Sequence, residues 1–178
     1  DLNIMKDNQD LFDISKKTFY KIFSFGEKNR YNDRVKCFVF TNDSNKILFG
    51  TWRGLVKLNL NDFSYTIETK SETSINSLSS NKISCILKDK QNNLWIGTEE
   101  NGINIYFNSL NKFPLYNTSN GLGNDFVYSI LQLNNKNILI GTENGLYSLN
   151  PITNEVSDYN LLLKKHQIFT VLSLLEDT

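Results

Sequence analysis

The sequence contains few of the residues from which metal centres and disulfide networks are built. Among its 178 residues are two cysteines, one histidine and two prolines. Two cysteines cannot make the dense disulfide framework of a small secreted domain, and one histidine leaves little for a Cys/His zinc site. The scarcity of proline argues against a proline-rich linker. We therefore expect no structural metal and no cofactor.

A net charge and long apolar runs are also missing. The 19 lysines and arginines are balanced by 19 aspartates and glutamates, so the formal net charge is zero. Without a basic excess, we expect no nucleic acid among the partners of this chain. The longest apolar runs, such as Ile138–Ile140, are far shorter than a membrane span, and the first residues lack the layout of a signal peptide. We expect a soluble piece, with any membrane anchor or export signal outside it.

What the sequence does contain is a repeat. A Gly-Thr pair follows an apolar run three times, at intervals of 47 and 44 residues, beginning at Gly50, Gly97 and Gly141. A polar segment that opens a second apolar run recurs in the same register, at Asn32–Val35, Ser80–Ile83 and Asn124–Val127. A period of this length is typical of β-propellers and of some helical arrays.

The local pattern decides between these two architectures. The segments between turn residues are four to eight residues long and rich in β-branched and aromatic residues, which indicates strands. In the middle copy the predicted strands, A to D, are Ile83–Lys88, Leu94–Gly97, Ile103–Phe107 and a segment around Phe113–Tyr116. Strand B is apolar at consecutive positions, as in a sheet covered on both faces. The sequence predicts an all-β chain of four-stranded antiparallel propeller blades.

The repeat also predicts how the chain divides. Residues 32–79, 80–123 and 124–167 are three whole blades, residues 1–31 supply strands B to D of a partial blade, and residues 168–178 supply the first strand of the next. The terminal strands are predicted at Leu2–Met5, Leu11–Ile14, Phe19–Phe25 and Val171–Asp177. We favour a fragment of a larger propeller of about seven blades. The alternative is a closed ring of four blades, completed by pairing the two ends of the chain.

Two further positions of the repeat predict packing. Trp95 aligns with leucines in the other copies, so we interpret it as a contact between blades. Cys37, Cys85, Ser129 and Ser173 share one position of the repeat that is always small. We interpret this position as a crowded place near the propeller axis, because two equivalent cysteines of neighbouring blades are too far apart for a disulfide.

In a propeller the loops from strand D to strand A and from strand B to strand C lie at the same end of the blades, where ligand sites usually cluster. We call this end the rim. The candidate ligand-binding residues of the rim are Arg34, Trp52, Arg53, Lys82, Glu99, Glu100, Asn101, Glu143 and Asn144. Trp52 stands where the other copies have glutamate, and an exposed aromatic ring there could stack on a sugar ring or on a partner's side chain. The alternative is that the polar rim residues only serve their turns.

Catalytic residues are not evident. Glu99, Glu100 and Glu143 could be imagined as the carboxylates of a glycoside hydrolase, yet their recurrence in one turn of the repeat favours a role in that turn. His166 lies in a predicted loop, Leu161–Gln167, without a nucleophile at a recognisable spacing. We predict that this chain is not an enzyme.

Two segments carry a resemblance to a known family. Ser80–Asp89 followed by Asn93–Thr98, and also Gly121–Val127, resemble the two-component regulator propeller repeat. The resemblance implies a place in the periplasmic sensor region of a hybrid histidine kinase in the inner membrane. The implied role is to bind a glycan-derived oligosaccharide and to signal to the kinase, together with the remaining blades and downstream domains and as a homodimer. The alternative is a structural or protein-interaction scaffold with no ligand site on these blades.

Overall fold

The computed structural model describes residues 2–4, 10–13, 18–21, 34–74, 76–106, 114–166 and 169–175. The first sheet consists of β1 (Leu2–Ile4), β2 (Asp10–Asp13) and β3 (Thr18–Lys21). Blade 1 consists of β4 (Val35–Phe40), β5 (Lys46–Thr51), β6 (Gly54–Asn59) and β7 (Tyr65–Glu68). Blade 2 consists of β8 (Ile83–Lys88), β9 (Leu94–Thr98), β10 (Ile103–Tyr106) and β11 (Leu115–Tyr116). Blade 3 consists of β12 (Val127–Gln132), β13 (Ile138–Thr142), β14 (Gly145–Leu149) and β15 (Val156–Asp158).

All these sheets pair their strands antiparallel and in sequence order. The first strands of neighbouring blades, β4, β8 and β12, lie against one another, so strand A is at the inner edge of each blade and strand D is at the outer edge. The predicted blade architecture is confirmed, and each four-stranded sheet falls inside one predicted repeat. The predicted residues Phe107 and Phe113 lie outside the described residues.

The core is divided into layers between the blades. Successive side chains of a strand point to opposite faces of its sheet. In β9, Ile96 packs with Leu48 and Leu55 of blade 1, whereas Trp95 packs with Ile138 and other residues of blade 3. Trp95 is 0% exposed, which confirms the predicted contact between blades. A strand that is apolar at consecutive positions therefore joins two neighbours at once.

The Gly-Thr glycines mark the closest approach between blades. A Cβ atom on Gly97 would lie 2.4 Å from Cys85 Sγ of the same blade and 2.9 Å from Val127 Cγ1 of the next. Gly50 is enclosed in the same way, because a Cβ atom there would lie 2.5 Å from Cys37 Sγ and 2.6 Å from Ile83 Cγ2. The predicted crowding is confirmed in these two copies.

The register explains why the repeat keeps a small residue opposite each glycine. Cys37 pairs with Gly50, Cys85 with Gly97 and Ser129 with Gly141. Both cysteines are free thiols. Burial raises the pKa of the Cys85 thiol to about 12, and it raises the pKa of Cys37 as well, so both stay protonated at neutral pH. Ser173, the fourth member of the set, is exposed.

The last part of the chain differs from its prediction. Residues 169–175 belong to no strand, although a strand was expected from Val171 onward. A strand needs the backbone of a neighbouring strand along its length. Among the described residues, this segment is attached to blade 3 by a backbone hydrogen bond, in which Val171 N–H donates to Thr142 O at 2.9 Å. The predicted loop before it also differs, because Asn160–Lys165 form a short helix, α1. In the described ranges no helix is long and apolar enough to cross a membrane.

Candidate functional site

The turns between strands B and C share one construction. The buried threonine of each Gly-Thr pair donates its hydroxyl to the carbonyl of the glycine that ends the turn, at 2.9, 2.9 and 3.0 Å in blades 1, 2 and 3. These glycines, Gly54, Gly102 and Gly145, have positive φ values of 127°, 73° and 115°, which favour glycine. Threonine and glycine thus fix the turn, and the residues between them present their side chains from a rigid base.

Each strand A begins with a β-bulge. The register shifts between Val35 and Cys37 in blade 1, and the same shift recurs in blades 2 and 3. A bulge adds one residue to its strand and changes the direction of that side chain. The three added residues are Lys36, Ser84 and Tyr128.

A cluster of three side chains connects blades 1 and 2 at the rim. Trp52 Nε1 donates to Glu99 Oε1 at 2.7 Å. The ammonium of Lys36 lies 3.6 Å from the same carboxylate oxygen and 4.7 Å from the centre of the Trp52 ring. Trp52 is half-buried. The indole therefore presents a ring whose edge is held by a carboxylate and whose face is in contact with a cation. We call Lys36, Trp52 and Glu99 the rim cluster.

A second ion pair lies beside the rim cluster. Lys82 donates to Glu100 on the surface of blade 2. This hydrogen bond raises the pKa of Lys82, and the negative charges of Glu100 and Glu99 raise it further. Lys82 consequently stays charged at neutral pH.

Blade 3 adds a phenol to the same region. Burial raises the pKa of Tyr128, and the negative charges of Glu143 and Glu99 add to the effect. Glu99 comes from blade 2 and Glu143 from blade 3, so Tyr128 senses carboxylates from both. The rim thus combines an aromatic ring, ammonium groups, carboxylates and a phenol, which are the groups that hydrogen-bond and stack on polar ligands.

Other predicted residues are engaged in their turns. Asn101 donates its side-chain amide to Ser79 O at 2.9 Å, which ties the turn to the loop that precedes β8. The backbone N–H of Asn144 donates to the hydroxyl of Thr142 in the same turn, at 3.2 Å. Arg34 is exposed and Arg53 is half-buried. Of the nine predicted residues, the structure joins Trp52 with Glu99 and Lys82 with Glu100.

Lys36 and Tyr128 were not among the predicted residues. Both follow the residue that opens an apolar strand, where a side chain was expected to belong to the sheet. Their shared position in the repeat was visible in the sequence, but the bulge that turns them toward the rim was not. In the part of the chain that the structure describes, no group of three or more His, Cys, Asp or Glu side chains could hold a metal ion. His166 is exposed at the end of α1.

Comparisons with known proteins agree with this architecture. Residues 77–100, which cover strand A and strand B of blade 2, match the family model of the two component regulator propeller. No curated protein sequence matches the chain.

Solved structures extend the similarity to nearly the whole chain. Two structures of the extracellular domain of BT4673 from B. thetaiotaomicron, described in one case as a one component and in the other as a hybrid two component system, are 26% and 27% identical to this chain. Their TM-scores are 0.73 and 0.74, and each match covers 96% of this chain and 22% of that chain. The chain therefore spans less than a quarter of that domain.

A third structure is the extracellular domain of the hybrid two component system BT3049 from B. thetaiotaomicron. It has a TM-score of 0.58 at 20% identity, and the match covers 85% of this chain and 27% of that chain. At this identity the likeness concerns the fold. The match in blade 2 is thus to the two component regulator propeller that the sequence predicted, and the sheets around it have the fold of β-propeller blades.

Proposed function

We propose that these blades belong to the extracytoplasmic sensor propeller of a hybrid two-component histidine kinase, and that their rim binds a glycan-derived oligosaccharide. The similarity to extracellular domains of BT4673 over 96% of this chain supports the sensor role. The chemistry of the rim supports the ligand class. The catalytic steps of signalling belong to other parts of such a protein, and these blades contribute binding.

The rim cluster is the observation that carries the proposal. Sugar rings stack on aromatic faces, and their hydroxyl groups bond to carboxylates and ammonium groups. Trp52, Glu99 and Lys36 supply these three kinds of group within one contact network. Because Trp52 belongs to blade 1 and Glu99 to blade 2, a ligand bound there would change how the two blades are held together. Such a change is what a sensor has to transmit.

The test is calorimetric titration of the complete extracellular region with plant and host-derived oligosaccharides. We expect saturable binding by the parent protein and a loss of at least about tenfold in affinity for Trp52→Ala. Tyr65→Ala is the matched control, because Tyr65 is an exposed aromatic residue of β7 beside the turn at the opposite end of blade 1. Equal binding by Trp52→Ala and the parent would overturn the site, and no saturable binding would overturn the ligand class.

A scaffold role is the second candidate, and one observation favours it. The indole N–H of Trp52 is already bonded to Glu99 across the blades, so the rim cluster can act as a clasp without any ligand. In that case Trp52→Ala would lower the free energy of unfolding and leave oligosaccharide binding unchanged. Urea unfolding of the same variant, measured beside the titration, distinguishes the two roles.

A further inference from the structure

A groove separates blades 1 and 2 at the end opposite the rim. It has a volume of about 440 Å³, which is within the range of sites for small organic molecules. Leu48, Leu55 and Leu94 supply its apolar lining. Its polar lining includes three lysines, two carboxylates and a phenol, namely Lys46, Lys57, Lys88, Asp43, Glu68 and Tyr106. We call this space the interblade groove.

The interblade groove lies where blade 1 has a smaller side chain than blade 2 at the same position of the repeat. Leu48 precedes Gly50 by two residues, as Trp95 precedes Gly97. In the next interface the indole of Trp95 is 0% exposed and donates Nε1–H to Asp89 Oδ2 at 2.9 Å. Leucine is much smaller than tryptophan and has no group to reach the turn, so the corresponding space between blades 1 and 2 is left open.

The polar wall of the groove is mostly neutralised from within the protein. Lys57 forms an ion pair with Glu68, and its ammonium lies 5.9 Å from the centre of the Tyr106 ring. At the mouth, Lys46 Nζ lies 2.9 Å from Asp43 Oδ2. Two of the three lysines of the groove thus have carboxylates as partners.

Lys88 differs from the other two lysines. It is half-buried at the end of β8, and its ammonium donates to the neutral amide of Asn42, with 3.1 Å between Nζ and Oδ1. Among the described residues, no carboxylate is within ion-pair distance of Lys88. A hydrogen bond between a cation and an anion is stronger than one between a cation and an amide. An anionic group that enters the groove would therefore displace Asn42 from Lys88.

We propose that the interblade groove is a second binding site, which takes an amphipathic organic monoanion. The apolar body of the ligand packs on Leu48, Leu55 and Leu94, and its carboxylate or sulfonate accepts from Lys88. This site lies at the opposite end of the strands from Trp52 and does not depend on what the rim binds.

The experiment uses 2-naphthoate as the probe, titrated calorimetrically into the full-length protein that carries these blades, with neutral 2-naphthamide as the charge control. Lys88→Gln removes the cation, and glutamine is compatible with the fold because Gln132 has the corresponding place in blade 3. Lys90→Gln is the matched control, since Lys90 is exposed in the adjoining turn and reaches Asn134, away from the groove. Leu48→Trp fills the groove with the side chain that the next interface already uses.

We expect saturable binding of 2-naphthoate by the parent protein and roughly tenfold weaker binding by Lys88→Gln. Lys90→Gln should bind as the parent does, and Leu48→Trp should bind no probe. The proposal is overturned if 2-naphthoate does not bind, if 2-naphthamide binds equally well, if Lys88→Gln and Lys90→Gln have equal effects, or if Leu48→Trp, shown to be folded by its urea transition, still binds.

Discussion

At the interface between blades 2 and 3 the indole of Trp95 fills the space between the sheets, whereas at the interface between blades 1 and 2 the corresponding Leu48 leaves the interblade groove. The backbone contacts of the two interfaces are alike, because Gly50 and Gly97 are each enclosed by a cysteine of their own blade and by an apolar residue of the next. The same glycine contact thus brings the neighbouring blades close together at both interfaces. The side chain two positions earlier determines whether the remaining space is core or cavity.

The two interfaces also differ in their polar contacts at the end opposite the rim. There too, the interface between blades 2 and 3 is closed and the interface between blades 1 and 2 is open. Gln132 is 8% exposed and accepts from Lys90 N at 2.8 Å, so it seals blade 3 against the turn of blade 2. Lys88 donates to the side chain of Asn42, on the exposed turn of blade 1. A buried amide bonded to backbone closes one interface, and a flexible lysine leaves the other accessible.

The largest effect that would test this comparison is expected for Trp95→Ala. Removing a fully buried indole leaves a cavity and takes one hydrogen-bond donor from the Asp89 carboxylate, so we expect the free energy of unfolding to fall by about 3 to 5 kcal/mol. Leu48→Ala should cost about 2 kcal/mol, because the adjoining groove allows the site to relax or to hydrate. Urea unfolding midpoints at equal slopes measure both changes. Equal losses would contradict the comparison, and Trp95→Phe provides a milder variant if Trp95→Ala does not fold.

The glycine contact predicts a somewhat smaller and more uniform effect. Gly50→Ala and Gly97→Ala each place a methyl group within 3.0 Å of two side chains, so each should destabilise the protein by about 1 to 3 kcal/mol. The two losses should agree, because the contact is the same in both interfaces. Cys85→Ala should recover part of the loss in Gly97→Ala, which a double-mutant cycle in urea detects. Strict additivity would show that Cys85 does not cause the strain.

Alkaline pH should destabilise blades 1 and 2, in which a cysteine pairs with the Gly-Thr glycine, more than blade 3, in which Ser129 has that place. The pKa of Cys85 is raised from 9.0 to about 12 in the folded protein, so its stabilising contribution is complete below pH 9 and is lost as the pH rises toward 12. At pH 10 this loss amounts to about 1 kcal/mol. Cys85→Ser, which adopts the residue type of Ser129, should remove that share of the decline. Urea unfolding at pH 7 and pH 10 is the measurement, and an identical decline in the variant would contradict it.

The smallest effect concerns the rim. The charge of Glu99 raises the pKa of Tyr128 across two blades, so Glu99→Gln should lower that pKa. Titration of the ¹³Cζ signals of labelled tyrosines by NMR follows the change. Glu155→Gln is the control, because Glu155 lies in the turn between β14 and β15 at the end opposite the rim. An unchanged Tyr128 titration in Glu99→Gln would mean that the charge of Glu99 does not act on Tyr128 across the two blades.

Much of the fold could be predicted because contacts that recur in every blade leave a recurring pattern of residues in the sequence. The pairing of a small residue with the Gly-Thr glycine was visible as a constant spacing, and strand A of blade 2 has the predicted bounds, Ile83–Lys88. Trp95 could be assigned to the core because its equivalents are leucines. These features depend on residue size and polarity, which the sequence gives directly.

Other features depend on backbone geometry that the residue types alone do not indicate. The bulges that direct Lys36 and Tyr128 to the rim result from one extra residue in an otherwise regular strand. The segment after Thr170 has the composition of a strand but lacks a paired neighbour among the described residues. The sequence analysis predicts a loop at Leu161–Gln167, although the Leu-Leu-Leu-Lys-Lys sequence of α1 favours a helix. The expected carbohydrate remains a prediction, since side-chain chemistry alone does not identify a sugar.

The glycine contact also has a consequence for how the number of repeats in such chains changes during evolution. The glycine of one repeat meets an apolar residue of the following repeat, as Gly97 meets Val127 and Gly141 meets Val171. Every repeat therefore carries both halves of the contact, one for its predecessor and one for its successor. A tandem duplication inserts a unit that already fits its parent, so the number of blades can change by whole repeats. Side chains such as Leu48 and Trp95 are then free to diverge and to give each new interface its own cavity or core.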